Sequence, residues 1–335
     1  MIKTVKLKPP PRFQLATLPT PVEAFSLSPA PKSGIEIYIK RDDLTGSELS
    51  GNKIRKLEFI LYDAISQKAD TLITCGGVQS NHCRATAAVA SRSGLACELF
   101  LKGKPLRVPD GNYLLDKLFK ANIHHITVKE YETEIDEILN RRAEYLLGQG
   151  QQPYIIPEGA SNPLGMWGYV MAGIELKRQL DKAGIRADYI VCAVGSGGTY
   201  AGLYIASLIL RWPVKIIGMA VCRDSEFFLS RVGGLVESFI ETYNVKVTPE
   251  PADILIEDSY IGPGYAQIGK KEADFIKGVA GYSGIILDPA YIGKAMLGLF
   301  DYIALGKIKR KSNVVFIHTG GLLSLFAYKN KLFTD

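Results

Sequence analysis

The chain has 335 residues, 47% hydrophobic and 22% charged, which provides for a large core, argues for more than one domain and excludes bulk disorder. Its net charge of +6 is modest for this length and does not identify a nucleic-acid binder. The five cysteines, Cys75, Cys83, Cys97, Cys192 and Cys222, form no C-x-x-C pair; no metal site or redox pair is expected, and the odd number reads as reduced thiols in the cytoplasm.

At the N-terminus Lys3, Lys6 and Lys8 run into Pro9-Pro10-Pro11 without the apolar core of a signal peptide. Pro19, Pro21, Pro29 and Pro31 extend this into an expected arm lying on the body or on a neighbouring subunit. Residues 35–39 form a short β-rich run. Leu57, Ile60, Leu61, Ala64 and Ile65 then mark one face of a helix. A strand is expected at 71–74, and a helix from about 80 to 93 with Gly94 as its C-cap. Further strands are expected at 97–101, 123–128, 154–156, 189–194, 214–221 and 314–317, and helices at 132–147, 168–183 and 291–305. The alternation predicts an α/β chain with parallel sheets. The expected crossings between two lobes are Lys56–Leu57 and 163–165, giving a large domain of 1–56 and 164–335 and a small domain of 57–163. The 22 residues 189–210 carry no charge and could span a bilayer by length, but the central glycines read better as a turn between a strand and a buried helix. The basic run 307–311 has no interleaved aromatic residue and reads as a solvated loop after a helix end.

Five segments could carry chemistry. In Ser50-Gly51-Asn52-Lys53-Ile54-Arg55-Lys56, Ser50 or Asn52 can cap the following helix and so place Lys53 in its first turn. A cation there opposes the helix dipole, which should lower its pKa and favour a nucleophile or base; a solvent-facing lysine is the competing reading. In Cys75-Gly76-Gly77-Val78-Gln79-Ser80-Asn81-His82 a strand turns into a helix N-terminus, where Ser80 and Asn81 offer polar groups. The serine is out of frame for a hydrolase elbow, and His82 reads as structural. Gly195-Ser196-Gly197-Gly198-Thr199 makes an anion cradle between strand and helix, suited to a single phosphate, or simply a tight turn. It lacks the Gly-Lys-Ser/Thr of a Walker loop, and Tyr200 occupies the third glycine position of the dinucleotide fingerprint. Tyr265 and Tyr291 stand near turns, where tyrosines usually pack. His318-Thr319-Gly320-Gly321 follows a strand, the end at which open α/β sheets bind ligands.

Together with Lys40-Arg41-Asp42-Asp43-Leu44-Thr45-Gly46 and Gly51-Asn52-Lys53-Ile54-Arg55-Lys56-Leu57-Glu58, these segments resemble the D-cysteine desulfhydrase and 1-aminocyclopropane-1-carboxylate (ACC) deaminase family, from about Tyr38 to Tyr328. The resemblance implies pyridoxal 5'-phosphate (PLP) as cofactor and a two-lobed, parallel-sheet-rich fold of type II, like tryptophan synthase β. It implies that Lys53 carries the cofactor as a Schiff base and handles the Cα proton. Asn81 would bond the phenolic oxygen, Ser80 would sit beside the substrate carboxylate or take part in proton transfer, and Gly195, Ser196, Gly197, Gly198 and Thr199 would hold the phosphate. Tyr265 and Tyr291 match two active-site tyrosines, and Thr319 would face the pyridine nitrogen. ACC deaminases resemble one another in a glutamate and a leucine where Ile292 and Thr319 stand here. A neutral hydroxyl suits an unprotonated ring and hence β-elimination. The expectation is a C–S lyase converting D-cysteine to pyruvate, sulfide and ammonia, with no nucleic-acid or membrane partner, as a cytoplasmic homodimer. Alternatives are an ACC deaminase, a non-catalytic PLP-binding protein and an NAD-dependent oxidoreductase. Desulfhydrases of the group usually resemble one another in a small hydroxyl residue where Ile292 stands, so Ile292 is expected to make the pocket wall more apolar and leaves D-serine, a β-substituted D-alanine or another sulfur amino acid as alternative substrates.

Overall fold

The computed structural model describes residues 8–26 and 34–333; Pro29 and Pro31 lie outside them. In chain order the elements are β1 (Val22–Phe25), β2 (Glu36–Lys40), α1 (Lys53–Ser66), β3 (Thr71–Gly77), α2 (Asn81–Arg92), β4 (Ala96–Lys102), α3 (Gly111–Leu118), β5 (Asn122–Ile126), α4 (Val128–Thr133), α5 (Ile135–Gly148), β6 (Pro153–Ile155) and α6 (Pro163–Lys182). They continue with β7 (Tyr189–Val194), α7 (Gly198–Leu210), β8 (Lys215–Ala220), α8 (Ser225–Tyr243), β9 (Leu255–Glu257), α9 (Lys270–Ser283), α10 (Ile292–Ala304), β10 (Asn313–Ile317), α11 (Leu322–Leu325) and α12 (Lys329–Phe333).

Two sheets organise these elements. A six-stranded sheet has the order β1-β2-β10-β7-β8-β9, parallel except at the β1–β2 pair. A four-stranded, wholly parallel sheet has the order β5-β4-β3-β6. The inner strands β3, β7, β8 and β10 are buried almost throughout, which is why they read as continuous apolar runs rather than alternating ones. The uncharged stretch of 189–210 resolves into β7, a glycine turn and α7; among the described residues no helix is long and apolar enough to cross a membrane.

Two helices differ from the sequence expectation for local reasons. The single helix expected over 132–147 is α4 followed by α5, because Thr127 and Glu130 form a reciprocal capping box that starts a helix early and Glu134 leaves helical geometry. The helix expected from Gly168 begins at Pro163, where Asn162 caps the Gly165 N–H and proline takes the first helical position. Gly168 then serves contact with α1: a Cβ there would lie 2.5 Å from the Arg55 backbone. The described part of the N-terminal arm lies on the body, its residues 12–16 held by α1. The buried Glu58 carboxylate accepts from the Leu15 and Ala16 amides at 2.8 and 2.9 Å and pairs with Arg12 at 3.0 Å.

Candidate active site

The expected residues Lys53, Ser80, Asn81, Gly195, Ser196, Gly197, Thr199, Tyr265, Tyr291 and Thr319 line one cavity of about 960 Å³. Its walls come from the ends of β3, β4 and β7 and from the turns that follow β7 and β10. Gly198 lies just behind the lining.

Lys53 is the first residue of α1 and half-buried. Burial lowers its pKa from the ordinary lysine value to about 8, partly offset by the Glu158 carboxylate. Desolvation is therefore the main cause, where the sequence argument invoked the helix dipole. The expected cap is corrected as well. Ser50 donates to the Asp43 carbonyl, and the Asn52 amide donates to Thr199 Oγ1 at 3.0 Å. Asn52 already has helical backbone geometry, which removes it from the capping conformation. Instead of capping, it ties the helix that carries Lys53 to the glycine loop, and its N–H bonds the Thr319 carbonyl at 3.0 Å. For the free amine, the neutral fraction should rise with pH about a midpoint near 8. Acylation of Lys53 in cofactor-free protein, followed by peptide mass spectrometry, should show that midpoint; one near the ordinary value of about 10.4 would refute it.

Ser80 caps α2 by accepting from the Cys83 N–H at 3.2 Å. Asn81 is fixed by the Asn112 amide, which donates to its Oδ1 at 2.8 Å. His82 lies on the cavity lining as well. Its Nε2 bonds Thr74 Oγ1 at 2.8 Å, and Thr74 donates onward to the Ile156 carbonyl. Burial first, then Lys53 and Lys56, holds its pKa well below the usual range.

At the glycine loop, Gly197 has φ +86°, a conformation that favours glycine, and precedes the first turn of α7. The Ser196 and Ser161 hydroxyls are 2.8 Å apart. Lys56, fully buried, donates to the Gly159 carbonyl at 3.1 Å and to Ser161 Oγ at 3.2 Å. It forms no ion pair among the described residues, and burial, Lys53 and Arg231 together push its pKa well down. In the sequence Lys56 stands in the same segment as Lys53 and at a lobe boundary, with no role of its own. Its spacing of three from Lys53, which puts both on one helix face, was the available signal.

Across the cavity the Tyr265 and Tyr291 hydroxyls are 2.6 Å apart. Burial raises both pKa values, so both stay protonated at neutral pH. Asp288 sets the Tyr291 turn by accepting from the Ala290, Tyr291 and Ile292 amides, and burial lifts its pKa to about 6 against those three bonds. Ile292 does not form the pocket wall that was expected. It begins α10, is fully buried in an apolar cluster with Leu287, Ala295 and Ile276, and is not part of the cavity lining. The helical turn directs Tyr291 to the cavity and its neighbour into the core.

Comparison with known proteins places these features in context. The sequence pattern of the family described as "Pyridoxal-phosphate dependent enzyme" matches residues 13–320. The chain is 42% identical over 323 residues to the mitochondrial "Bifunctional D-cysteine desulfhydrase/1-aminocyclopropane-1-carboxylate deaminase" of Arabidopsis thaliana, covering 94% of this chain and 79% of that one. It is 39% identical to the "D-cysteine desulfhydrase" of Klebsiella pneumoniae, covering 95% and 96%. A crystal structure described as an "ACC deaminase homologue" superposes with a TM-score of 0.88 at 39% identity, covering 96% of this chain and 95% of that one.

Proposed function

Since the chain belongs to the pyridoxal-phosphate dependent enzyme family, with a tryptophan-synthase-β-like fold, we propose that it catalyses β-elimination on a small D-amino acid, converting D-cysteine to pyruvate, sulfide and ammonia. The observation that carries this reading is one cavity holding both a lysine amine with a pKa of about 8 and a pair of protonated tyrosine hydroxyls 2.6 Å apart.

The residues fit the cofactor. A Cβ added at Gly198 would lie 2.6 Å from Ser161 Oγ and 2.7 Å from Lys56 Nζ. Glycine thus lets Ser161 and the Lys56 amine close on the start of α7, where hydroxyls, backbone N–H groups and an amine without a carboxylate partner gather, a donor set for a phosphate. Residues 195–199 with Lys56 would hold the phosphate, Asn81 the phenolic oxygen and Thr319 the ring nitrogen, with Lys53 as the covalent anchor. When bound, pyridoxal phosphate supplies a sink for negative charge developing at the substrate Cα.

The protein's own groups divide the remaining work. Ser80 and the first N–H groups of α2 orient the substrate carboxylate. The neutral Lys53 amine is suited to accept the Cα proton. Tyr291, backed by Tyr265, is suited to protonate the departing thiolate, since both hydroxyls keep their protons at neutral pH. A neutral Thr319 hydroxyl, rather than a carboxylate, favours elimination over ring opening.

The second reading, ACC deamination, is favoured by the name of the Arabidopsis relative. Purified protein supplied with PLP should release pyruvate from D-cysteine and little from L-cysteine. Release of 2-oxobutanoate from ACC instead would support the second reading. Cofactor binding without turnover of any amino acid would support a non-catalytic binding protein.

The reading extends to organisation. Residues 57–163, which contain the four-stranded sheet, form the small lobe against 1–56 with 164–335. Exposed Leu114 and Leu118 on α3, beside Leu322 and Phe326 at α11, fit a second copy of the chain in a homodimer. The five unpaired thiols fit a cytoplasmic setting.

A further inference from the structure

We propose that Lys102 makes this cavity a site for β-substituted D-alanines whose leaving group is itself anionic, as in O-phospho-D-serine. The inference deepens the elimination reading above and rests on it.

Lys102 ends β4 and pairs in register with Gly77 at the end of β3. Gly77 offers no side chain, and the Tyr265 ring comes within 3.1 Å of where its Cβ would be. The half-buried Lys102 side chain reaches the same place, its Nζ 5.4 Å from the Tyr265 ring centroid and 4.7 Å from that of Tyr131. The ammonium therefore lies over the ring of Tyr265, one of the two tyrosines assigned to the leaving group.

The neighbouring charges leave Lys102 available. Arg223, also on the lining, pairs with Glu132 at 3.5 Å and lies over Phe227. Arg231 stands by Gly197, at the phosphate side. The charge of Glu158 acts on Lys53 and also on Tyr131, Tyr265 and Tyr291, so this carboxylate faces the same end of the cavity as Lys102 but forms no ion pair with it among the described residues. Among the described residues Lys102 forms no ion pair, and its ammonium lies over two ring faces. Ring quadrupoles attract a cation weakly and leave its charge largely free for an anion. The substrate α-carboxylate has its own position at the start of α2, so the free cation at the tyrosine end is left for the Cβ substituent.

The chemistry balances without an oxidant. The Cα proton passes to Lys53, the Cβ–O bond breaks with its electron pair on phosphate, and water releases the remainder as pyruvate and ammonia.

The test compares kcat/KM for O-phospho-D-serine and for neutral β-chloro-D-alanine in the wild-type holoenzyme and in Lys102→Gln and Lys102→Glu. The ratio of the phosphorylated to the chloro substrate should fall about tenfold or more in Lys102→Gln, and further in Lys102→Glu, in line with loss of a charge-assisted bond. Calorimetric Kd values for D-2-amino-3-phosphonopropionate, which has no leaving group, should rise by a similar factor, and those for D-alanine should not. Turnover of β-chloro-D-alanine without O-phospho-D-serine overturns the inference and leaves elimination standing. An equal loss on both substrates overturns it too, because it would place Lys102 at the α-carboxylate. Turnover of neither substrate removes both readings together.

Discussion

Replacing Lys53 with alanine is expected to abolish the visible absorbance of the PLP-loaded protein and to lower kcat by about 10³-fold or more, as the roles proposed for it, covalent anchor and proton acceptor, together require. The same substitution should leave the fold intact. Lys53 makes no ion pair among the described residues, and its surroundings disfavour its charged form, lowering the pKa to about 8. Truncation therefore removes a desolvated amine and orphans no partner, so the cost in thermal stability should be small. The neighbours that place it remain: Asn52 bonded to Thr199, and the Gly51–Asn52 strap bonded to Thr45 and to the Thr319 carbonyl. Absorbance spectra, pyruvate assays and thermal melts on one preparation separate the effects. An unchanged absorbance would remove Lys53 from the anchoring role. A collapsed melt would mean that the lysine is structural.

Much of this site was legible in the sequence because glycine and lysine carry positional information. A glycine run between an apolar strand and an uncharged helix specifies a tight strand-to-helix turn whether or not the strand order is known. Lys53 just ahead of an apolar periodicity specifies a helix start. Other features depend on tertiary neighbours. Asn52 reads as a cap because asparagines before helices usually are, yet its partner, Thr199, is 147 positions away. Lys56 acquires its character only when residues 159–161 pack against α1. Ile292 follows a cavity-lining tyrosine, but a single step around α10 turns it from cavity to core. The sheet order was equally beyond local reading, since β10, late in the chain, inserts between β2 and β7.

Arg55→Ala should be the most damaging single change to stability, by about 3–5 kcal/mol, because it strips a buried carboxylate of its counter-charge. The guanidinium donates to both Asp42 oxygens at 2.9 and 2.8 Å and to both Glu175 oxygens at 3.0 and 2.9 Å. Asp42 is fully buried and also accepts from Thr20 and Tyr169, while Lys40 donates to Glu175. This network joins the N-terminal arm, the end of β2, α1 and α6 two residues beyond Lys53, so its loss should reach the site as well as the fold. The pH dependence distinguishes this cause from simple cavity formation. In the wild type, burial acts to raise the Asp42 and Glu175 pKa values, but Arg55 and Lys40 outweigh it and hold both below the usual carboxylate range. Their contribution is therefore present above the unfolded values of about 4 and is lost as pH falls through the folded ones. Without Arg55, Asp42 should protonate more readily than in the unfolded chain, which relieves the variant as acid is added. The deficit in urea midpoint should be largest near neutrality and should narrow below about pH 5. A deficit that stays constant with pH would assign the loss to packing, and one below about 1 kcal/mol would mean that the network contributes little to holding α1 in place.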